Sequence, residues 1–209
     1  MKVIVFGATG TVGKLVVERA IDAGHTVSAF ARGPEKLNWD HPRLAKLAGD
    51  VMDQAAVSDA VAGHDAVIVV LGAGMSRKSK VRSVGTANIV AAMKSNGVRR
   101  LICQSTLGAH ESWGNLNFYW KRIMFGALLR PVFLDHQVQE DIVRGSGLDW
   151  TIVRPSALTD EPATGAYRVG FDVNERKLTL KISRADVADF IQRELQHRDF
   201  VGRAVAVSF

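Results

Sequence analysis

The stretch Gly7-Ala8-Thr9-Gly10-Thr11-Val12-Gly13 separates a β-rich run at residues 2–6 from a helix-patterned run that begins at Thr11. It fits G-x-x-G-x-x-G, in which Gly7 and Gly10 permit a tight turn with close backbone approach, and Gly13 lets the helix pack against the strand. The start of a helix directs free N–H groups and the positive end of its dipole at an anion such as a pyrophosphate. The stretch therefore predicts a dinucleotide site formed by Gly7, Thr9, Gly10, Thr11, Val12 and Gly13.

The rest of the chain alternates between strand and helix patterns. Short β-rich runs predict strands at residues 2–6, 26–31, 43–48, 66–71, 100–104, 150–153 and 205–207. Apolar residues spaced three and four apart predict helices at residues 11–23, 54–62, 81–96, 132–144 and 185–196, with Ser183 as the cap of the last. This alternation predicts an α/β fold, a Rossmann-type doubly wound parallel sheet. We expect a single domain, residues 1–209, with a small C-terminal substrate-side lobe after Ser156 built on the same sheet.

The composition is that of a folded chain outside a membrane. The 209 residues are 47% hydrophobic and 23% charged, which excludes disorder as the main state. The longest unbroken apolar run covers residues 66–71, far short of the ~20 residues that a membrane helix needs. The single cysteine, Cys103, excludes an intrachain disulfide and a multi-cysteine zinc site, and the histidines show no metal spacing. Because no signal-peptide pattern is present, we expect a cytoplasmic protein with no metal and no membrane partner.

The net charge of +6 is unevenly distributed. Between residues 66 and 134 the only acidic residue is Glu111. The basic residues there are Arg77, Lys78, Lys80, Arg82, Lys94, Arg99, Arg100, Lys121, Arg122 and Arg130. A one-sided field attracts anions. It is interpreted as a solvated basic face, as steering of a phosphate-rich cofactor or substrate, or as a nucleic-acid surface. Since no nucleic-acid-binding signature is present, we expect no nucleic-acid partner.

The second predicted strand indicates which dinucleotide binds. An NAD site usually places Asp or Glu at the end of this strand, to accept a hydrogen bond from the ribose 2′-hydroxyl. Here the strand ends Phe30-Ala31-Arg32, and no carboxylate follows until Glu35. A guanidinium suits a 2′-phosphate, so we predict NADP(H) as the cofactor, with Arg32 at its phosphate. A solvated arginine is the alternative.

Two further loops follow strand ends, where ligands bind in open α/β sheets. In Gly49-Asp50-Val51, the Asp50 carboxylate is a candidate acceptor for the adenine amino group. Leu71-Gly72-Ala73-Gly74 has little bulk, so adenosine or ribose can lie against its backbone. The predicted cofactor site therefore includes Asp50, Val51, Leu71, Gly72 and Ala73.

Together these motifs resemble those of atypical short-chain dehydrogenases/reductases, a group that includes NmrA-like proteins. The similarity is carried, in the same order along the chain, by residues 7–13, 49–51, 65–72, 88–94, 146–148 and 164–167. Within the family, the similarity is to the members that reduce flavins and biliverdins. The resemblance implies a monomeric NADPH-dependent reductase that acts on a small planar substrate such as a flavin.

The catalytic region departs from Y-x-x-x-K, the usual short-chain dehydrogenase dyad. Four residues beyond Tyr119 is Ile123, and four beyond Tyr167 is Phe171, so the dyad is absent. Ketone reduction develops alkoxide charge that needs a positioned acid, whereas a flavin or quinone ring spreads the charge and solvent can supply the proton. The missing dyad therefore favours a planar acceptor. It fits equally well a protein that binds NADPH without turnover.

Three residues are candidates for the catalytic role. Ser105 and Thr106 follow the fifth strand and are predicted to face the nicotinamide, with strand-end capping as the alternative. The resemblance places Thr106 at the family's active-site serine, and Gln104 at the flavin reductase's cysteine. His136 matches a family histidine and is either a proton relay or a packed helix-start residue. The family also suggests that backbone groups at Pro155 reach the nicotinamide carboxamide.

An aromatic segment at residues 113–133 has three interpretations: core packing of a helix, a wall or lid for a planar ligand, and a surface for a protein partner. Beside its rings, Lys121 and Arg122 either meet a flavin phosphate or lie on a solvated face. We predict an NADPH-dependent reductase of a planar acceptor such as a flavin, quinone or tetrapyrrole, or of an enone. The alternative is an NmrA-like redox sensor that binds NADP(H) without turnover and acts through a protein partner.

Overall fold

Five α-helices alternate with ten strands along residues 1–74, 76 and 79–209, the part of the chain that the computed structural model describes. The strands are β1 Lys2–Phe6, β2 Thr26–Ala31, β3 Leu44–Ala48, β4 Ala66–Val69, β5 Arg100–Gln104, β6 Asp149–Pro155, β7 Ala157–Thr159, β8 Arg168–Val169, β9 Lys181–Ser183 and β10 Arg203–Ser208. The helices are α1 Thr11–Asp22, α2 Gln54–Val61, α3 Val81–Ser95, α4 Arg130–Arg144 and α5 Arg184–His197. Every predicted strand and helix is present, with small shifts at the ends, and Ser183 caps α5 as predicted. Arg77 and Lys78 of the basic stretch lie outside the described residues.

Eight strands form one sheet in the order β3-β2-β1-β4-β5-β6-β10-β8. Every neighbouring pair is parallel except β8 with β10. The predicted doubly wound parallel sheet is therefore confirmed, with an antiparallel strand at one edge. Strand β8 is the edge strand and pairs with β10, which follows it in the chain after β9 and α5.

The segment after Ser156 agrees with its prediction in part. As predicted, it builds on the main sheet, which β8 and β10 join. Strands β7 and β9 instead pair with each other, with Leu158 opposite Ile182. The N–H of Ala157 donates to the carbonyl of Leu180 at 3.0 Å, so the chain leaves the main sheet directly after β6. Strands of two or three residues carry too little alternation to reveal their partners.

Two apolar layers enclose the sheet. Helices α1 and α5 cover one face with side chains such as Val16 and Ile191, and α2 and α3 cover the other with Val57 and Met93. Cys103 lies in the second layer with 1% of its surface exposed, and burial raises the pKa of its thiol. In the described ranges no helix has the length and apolar character needed to span a membrane.

The aromatic segment folds as a 3₁₀ turn, His110–Asn115, and a π-helix, Tyr119–Leu128, which leads into α4. At its end the N–H of Leu129 donates to the carbonyl of Met124 at 2.6 Å, five residues back. Such i→i−5 bonds define π geometry, which often accompanies functional sites. The predicted core role is met in part, because Phe125 is buried while its neighbours on the outer side are exposed.

Candidate active site

In the glycine loop between β1 and α1 the backbone is not covered by side chains at the glycines. Gly7 has a φ of +85°, and a Cβ there would lie 2.5 Å from the carbonyl oxygen of Val70. A Cβ at Gly13 would lie 2.2 Å from the carbonyl oxygen of Gly7. A side chain at either position would collide with backbone, so glycine at both lets α1 start close against the end of β1.

The N-terminus of α1 faces the same loop. Gly10 occupies the cap position without a side-chain cap, and the first turn contains no acidic residue. The N–H groups of a first turn have no acceptor within the helix, so here they are available to an anion. A bare cradle beside an uncapped helix start fits the pyrophosphate of a dinucleotide.

A cavity of about 700 Å³, the cofactor cavity, opens along this loop. Its wall includes these predicted cofactor residues: Gly7, Thr9, Gly10, Thr11, Arg32, Asp50, Val51, Leu71, Gly72 and Ala73. Of the other three, Val12 and Pro155 line the neighbouring cleft, and Gly13 lies against the loop. The structure thus brings the predicted residues together, while their individual contacts with a cofactor stay predictions.

Charged residues in the cofactor cavity are mostly cationic. Arg32 directly follows β2 and is exposed in the cavity wall, which Lys36 and Lys80 also line. Asp50 is also exposed, and its Oδ1 accepts the N–H of Met52 at 3.0 Å. That bond holds the turn after β3 and leaves the second oxygen for the predicted contact with adenine.

A second cavity of about 490 Å³, the apolar cleft, continues from the first, because Gly10, Thr11, Leu71 and Gly72 line both. Its other apolar lining is Val12, Val70, Leu107, Leu116, Trp120, Phe125, Leu129, Val132, Pro155, Ala157, Leu158 and Leu180. Its other polar lining is Arg82, Gln104, Ser105, Thr106, His136, Ser156 and Arg184. The three predicted catalytic residues therefore share one cleft.

Two hydroxyls follow β5 into the apolar cleft. The N–H of Ser105 donates to the carbonyl of Val153 at 2.7 Å, but its buried hydroxyl has no hydrogen-bond partner among the described residues. The hydroxyl of Thr106 lies 3.4 Å from the carbonyl oxygen of Leu107, a long contact. Within the described part of the chain neither side chain caps the strand strongly, so both hydroxyls are available to a ligand.

Gln104 and Cys103 lie on opposite sides of β5, as the alternation of a strand predicts. Gln104 lines the apolar cleft, and its Oε1 is buried without a partner within the described part of the chain. Cys103 belongs to the core under α3. An amide therefore occupies the cleft position, and the thiol is withdrawn from it.

His136 lies on α4, with Nδ1 3.2 Å from Oε1 of Gln139. Burial, and after it the charge of Arg82, lowers the pKa of His136 to about 3. The ring is therefore uncharged at neutral pH, where it can pass a proton on but does not hold an extra one. Its role as a relay stays a prediction.

The end of β6 offers a side chain that the sequence analysis missed. The carbonyl of Pro155 accepts the N–H of Leu107 at 2.8 Å, and the N–H of Ser156 donates to the carbonyl of Val207 at 3.1 Å. Only a second lone pair of the Pro155 carbonyl remains for the predicted nicotinamide contact. The hydroxyl of Ser156, by contrast, is buried in the cleft wall with no partner in the described ranges.

Arg82 is the second missed residue. It lies in the first turn of α3, and its Nε and Nη1 are buried in the cleft wall without a partner among the residues described. In the sequence it stands out only as one member of the basic stretch. A usable signal was its position, because a cation in the first turn of a helix opposes the helix dipole and indicates a role other than helix stability.

The aromatic segment is both core and cleft wall. Trp120 and Phe125 line the apolar cleft, and the ring centroids of Phe125 and Phe133 are 4.6 Å apart. Lys121 and Arg122 line a separate hollow of about 550 Å³. The expectation that these two cations meet a flavin phosphate is therefore not supported for a ligand in the apolar cleft.

Comparison with known proteins bears on the cofactor. A family model described as NAD(P)H-binding matches residues 7–198. YhfK of Bacillus subtilis, described as an uncharacterized sugar epimerase, is 32% identical over 216 residues, which cover 98% of this chain and 92% of YhfK.

Two solved structures share the fold. A short-chain dehydrogenase/reductase from Veillonella parvula in complex with NADP has a TM-score of 0.82 at 22% identity, covering 100% of this chain and 94% of that one. The anaerobilin reductase ChuY from Escherichia coli O157:H7 has a TM-score of 0.80 at 23% identity, covering 100% of this chain and 97% of that one. At these identities the likeness supports the fold.

Proposed function

Since the chain belongs to the NAD(P)H-binding family, we propose that it is an NADPH-dependent reductase that transfers hydride to a planar acceptor such as a flavin, a quinone or a tetrapyrrole. Its membership also confirms the resemblance to atypical short-chain dehydrogenases/reductases. One observation carries the proposal: the cofactor cavity continues, past Leu71 and Gly72, into an apolar cleft. A ring in that cleft would lie next to the end of a cofactor that starts at the glycine loop.

The cofactor cavity favours NADPH over NADH. NADPH, when bound, supplies the hydride from its nicotinamide ring. The glycine loop and the start of α1 would hold the pyrophosphate, and Arg32 would bind the 2′-phosphate with support from Lys36 and Lys80. A protein of the same fold has been solved in complex with NADP, which supports NADP(H) as the cofactor.

The apolar cleft suits a flat ring. Trp120 and Phe125 offer aromatic surfaces for stacking, and leucines such as Leu107 and Leu180 exclude water from the reacting faces. Holding an acceptor in contact distance is the main task in such a reduction, because the organic chemistry belongs to the cofactor. A reductase of the same fold supports this class of reaction.

The polar groups of the cleft can donate hydrogen bonds to the acceptor and supply its proton. Charge that spreads over a flavin or quinone ring needs a hydrogen-bond donor rather than a strong acid. The hydroxyls of Ser105 and Thr106 would donate to a heteroatom of the acceptor, and solvent or neutral His136 would replace the proton. The absence of Y-x-x-x-K is consistent with this division of roles.

The test follows nicotinamide absorbance while the purified protein consumes NADPH, with FMN, riboflavin and a simple quinone as acceptors. NADH is run in parallel. We expect saturable turnover that prefers NADPH. No turnover with any acceptor, despite tight NADPH binding, would contradict the proposal.

That second outcome would favour an NADP(H)-binding redox sensor. The feature in its favour is the outer side of the π-helix, where Phe118 is 72% exposed and Tyr119 is 50% exposed. Because the inner side of the same segment lines the apolar cleft, a ligand bound in the cleft would change the conformation of this exposed surface. A partner that binds only the NADPH-loaded or only the NADP-loaded protein would then identify the sensor.

A further inference from the structure

We propose that the acceptor is an anion, and that Arg82 binds its carboxylate or phosphate group inside the apolar cleft. The inference rests on the proposed function, because it narrows the class of acceptor that the same cleft takes. It also assigns one member of the basic stretch to a ligand.

The backbone at Arg82 is fixed by an acidic cap. The N–H groups of Arg82 and Ser83 donate to the two carboxylate oxygens of Asp135, each at 3.2 Å, and the hydroxyl of Ser83 also donates to Asp135. Both oxygens of Asp135 therefore accept hydrogen bonds from the start of α3. The carboxylate whose charge acts on the Arg82 guanidinium is thus already engaged by the helix.

The guanidinium itself is left for a ligand. Its Nε and Nη1 are buried and make no hydrogen bond to the residues that the structure describes. Burial lowers the pKa of Arg82, with the charge of Asp135 acting against it, and an anion beside the guanidinium would oppose that effect further. Buried donors of a charged group are costly when unpaired, so a ligand cleft that contains them indicates a ligand with matching acceptors. The planar fork of arginine matches carboxylate and phosphate oxygens.

The position of Arg82 separates it from the cofactor. Lys80 and Val81, the two residues before it, line the cofactor cavity, whereas Arg82 lines the apolar cleft with Ser105 and His136. The pyrophosphate has its own site at the glycine loop. The anion at Arg82 is therefore the acceptor's.

The charge of the cleft agrees with an anionic acceptor. Among the described residues, no Asp or Glu lines it. The other arginine in its wall, Arg184, is bound to Asp160 at 2.7 Å and to the hydroxyl of Thr11 at 3.1 Å. Arg82 is thus the cleft arginine whose donors are free, in the described part of the chain, to pair with a ligand.

The experiment compares acceptors that share a ring and differ in one anionic group. FMN is paired with riboflavin, and 1,2-naphthoquinone-4-sulfonate with 1,2-naphthoquinone. For each acceptor, kcat/KM is measured at saturating NADPH, and binding without NADPH is measured by calorimetry. The variants are Arg82→Gln, Arg82→Lys and, as a matched control, Arg203→Gln. Arg203 is exposed and begins β10, so it lies at the amino-terminal end of the parallel strands, whereas the cleft lies at their carboxyl ends.

We expect the wild type to favour the anionic member of each pair by about tenfold or more, both in binding and in kcat/KM. Arg82→Gln should remove most of that preference, Arg82→Lys should keep part of it, and Arg203→Gln should keep all of it. The inference would be overturned if the wild type had equal affinity and equal kcat/KM for both members of each pair, or if Arg82→Gln kept the wild-type preference. A loss of NADPH affinity in Arg82→Gln that leaves the acceptor preference intact would also overturn it.

Failure of the inference is distinguishable from failure of the proposed function. If both members of each pair are turned over without preference, the reductase function is supported and the anion site at Arg82 is rejected. If the anionic members bind in an Arg82-dependent way but no acceptor is turned over, the anion site is supported and the reductase function is rejected.

Discussion

Arg154 on β6 donates two hydrogen bonds to Glu140 on α4, from Nε at 2.9 Å and from Nη2 at 2.6 Å. Both side chains are withdrawn from solvent, with 1% and 0% exposed. Nη1 of Arg154 also lies 3.0 Å from Glu111 in the 3₁₀ turn. Because Pro155 and Ser156 follow directly, this cluster ties β6, α4 and the 3₁₀ turn together around the apolar cleft. Removal of one buried partner would cost about 3–5 kcal/mol, since the other charge would stay unpaired.

Glu111 makes the cluster sensitive to acid. Partial burial alone would raise the pKa of Glu111, but hydrogen bonds from Arg154 and Arg144 outweigh it and lower the pKa from 4.5 to about 2. A lowered carboxyl pKa in the folded state stabilises the protein above pH 4.5, and that stabilisation is lost as the pH falls towards about 2. We expect Glu111→Gln to lower Tm at pH 7 by at most about 2–4 °C, because half of the side chain is exposed, and to lower it less at pH 3. Thermal unfolding across this range measures it, with exposed Glu18→Gln on α1 as the control. An equal deficit at both pH values would contradict the assignment.

Arg32 should determine the choice of dinucleotide. Arg32→Ala removes the guanidinium that we assign to the 2′-phosphate, and a charge-assisted hydrogen bond of about 1.5–3 kcal/mol corresponds to a Kd increase of about tenfold or more. We expect that loss for NADPH and little change for NADH, as measured by calorimetric titration of both. The control is Arg203→Ala, far from the cavity. Equal losses for the two cofactors would rule out the phosphate assignment.

Gly13 of the glycine loop and Gly72 of the loop after β4 should respond differently to a methyl group. At Gly13 an added Cβ meets backbone at 2.2 Å, whereas at Gly72 nothing lies within 4 Å. We expect Gly13→Ala to destabilise the free protein by about 1–3 kcal/mol, which lowers Tm by several degrees. Gly72→Ala should leave Tm unchanged but weaken NADPH binding, because its methyl group projects into space that both cavities share. Unaltered NADPH affinity in Gly72→Ala would show that the cofactor lies elsewhere.

Two buried serines should separate stability from activity. Ser112 is fully used, because its hydroxyl accepts the N–H of Gly108 at 2.9 Å and donates to the carbonyl of Ala109 at 2.8 Å. Ser105 has no such bonds among the described residues. We expect Ser112→Ala to cost about 1–3 kcal/mol of stability, and Ser105→Ala to keep or raise Tm while lowering kcat/KM for the acceptor. Melting curves and NADPH consumption measure the two effects. A destabilised Ser105→Ala protein would mean that its hydroxyl is structural.

The glycine loop was predictable because its determinants are local. The close approach of Gly13 to Gly7 involves residues only six positions apart, and the strand before and the helix after have clear periods. The order of elements then implies the parallel sheet, since βαβ crossovers have one hand. The cofactor cavity followed from strand ends meeting at the same edge.

The apolar cleft was less predictable because its key pairs are distant in sequence. Arg82 and Asp135 are 53 residues apart, and Glu140 and Arg154 are on different elements. No local pattern indicates that Asp135 caps α3 while Nε and Nη1 of Arg82 stay without a partner among the described residues. The π-helix was missed for a related reason, because an i→i−5 bond depends on how the segment is held against the core.

The rate at which Cys103 is alkylated measures how often the protein opens locally. The single thiol, on β5, is buried under the helices of this layer, α3 among them, so a water-soluble alkylating reagent reaches it only when these helices separate from the sheet or the whole chain unfolds. Because α3 also carries Arg82, the labelling rate reports the fluctuations of a helix that borders the apolar cleft. Slower labelling in the presence of NADPH or of an acceptor would then register how strongly each ligand holds this helix in place, without any need for turnover.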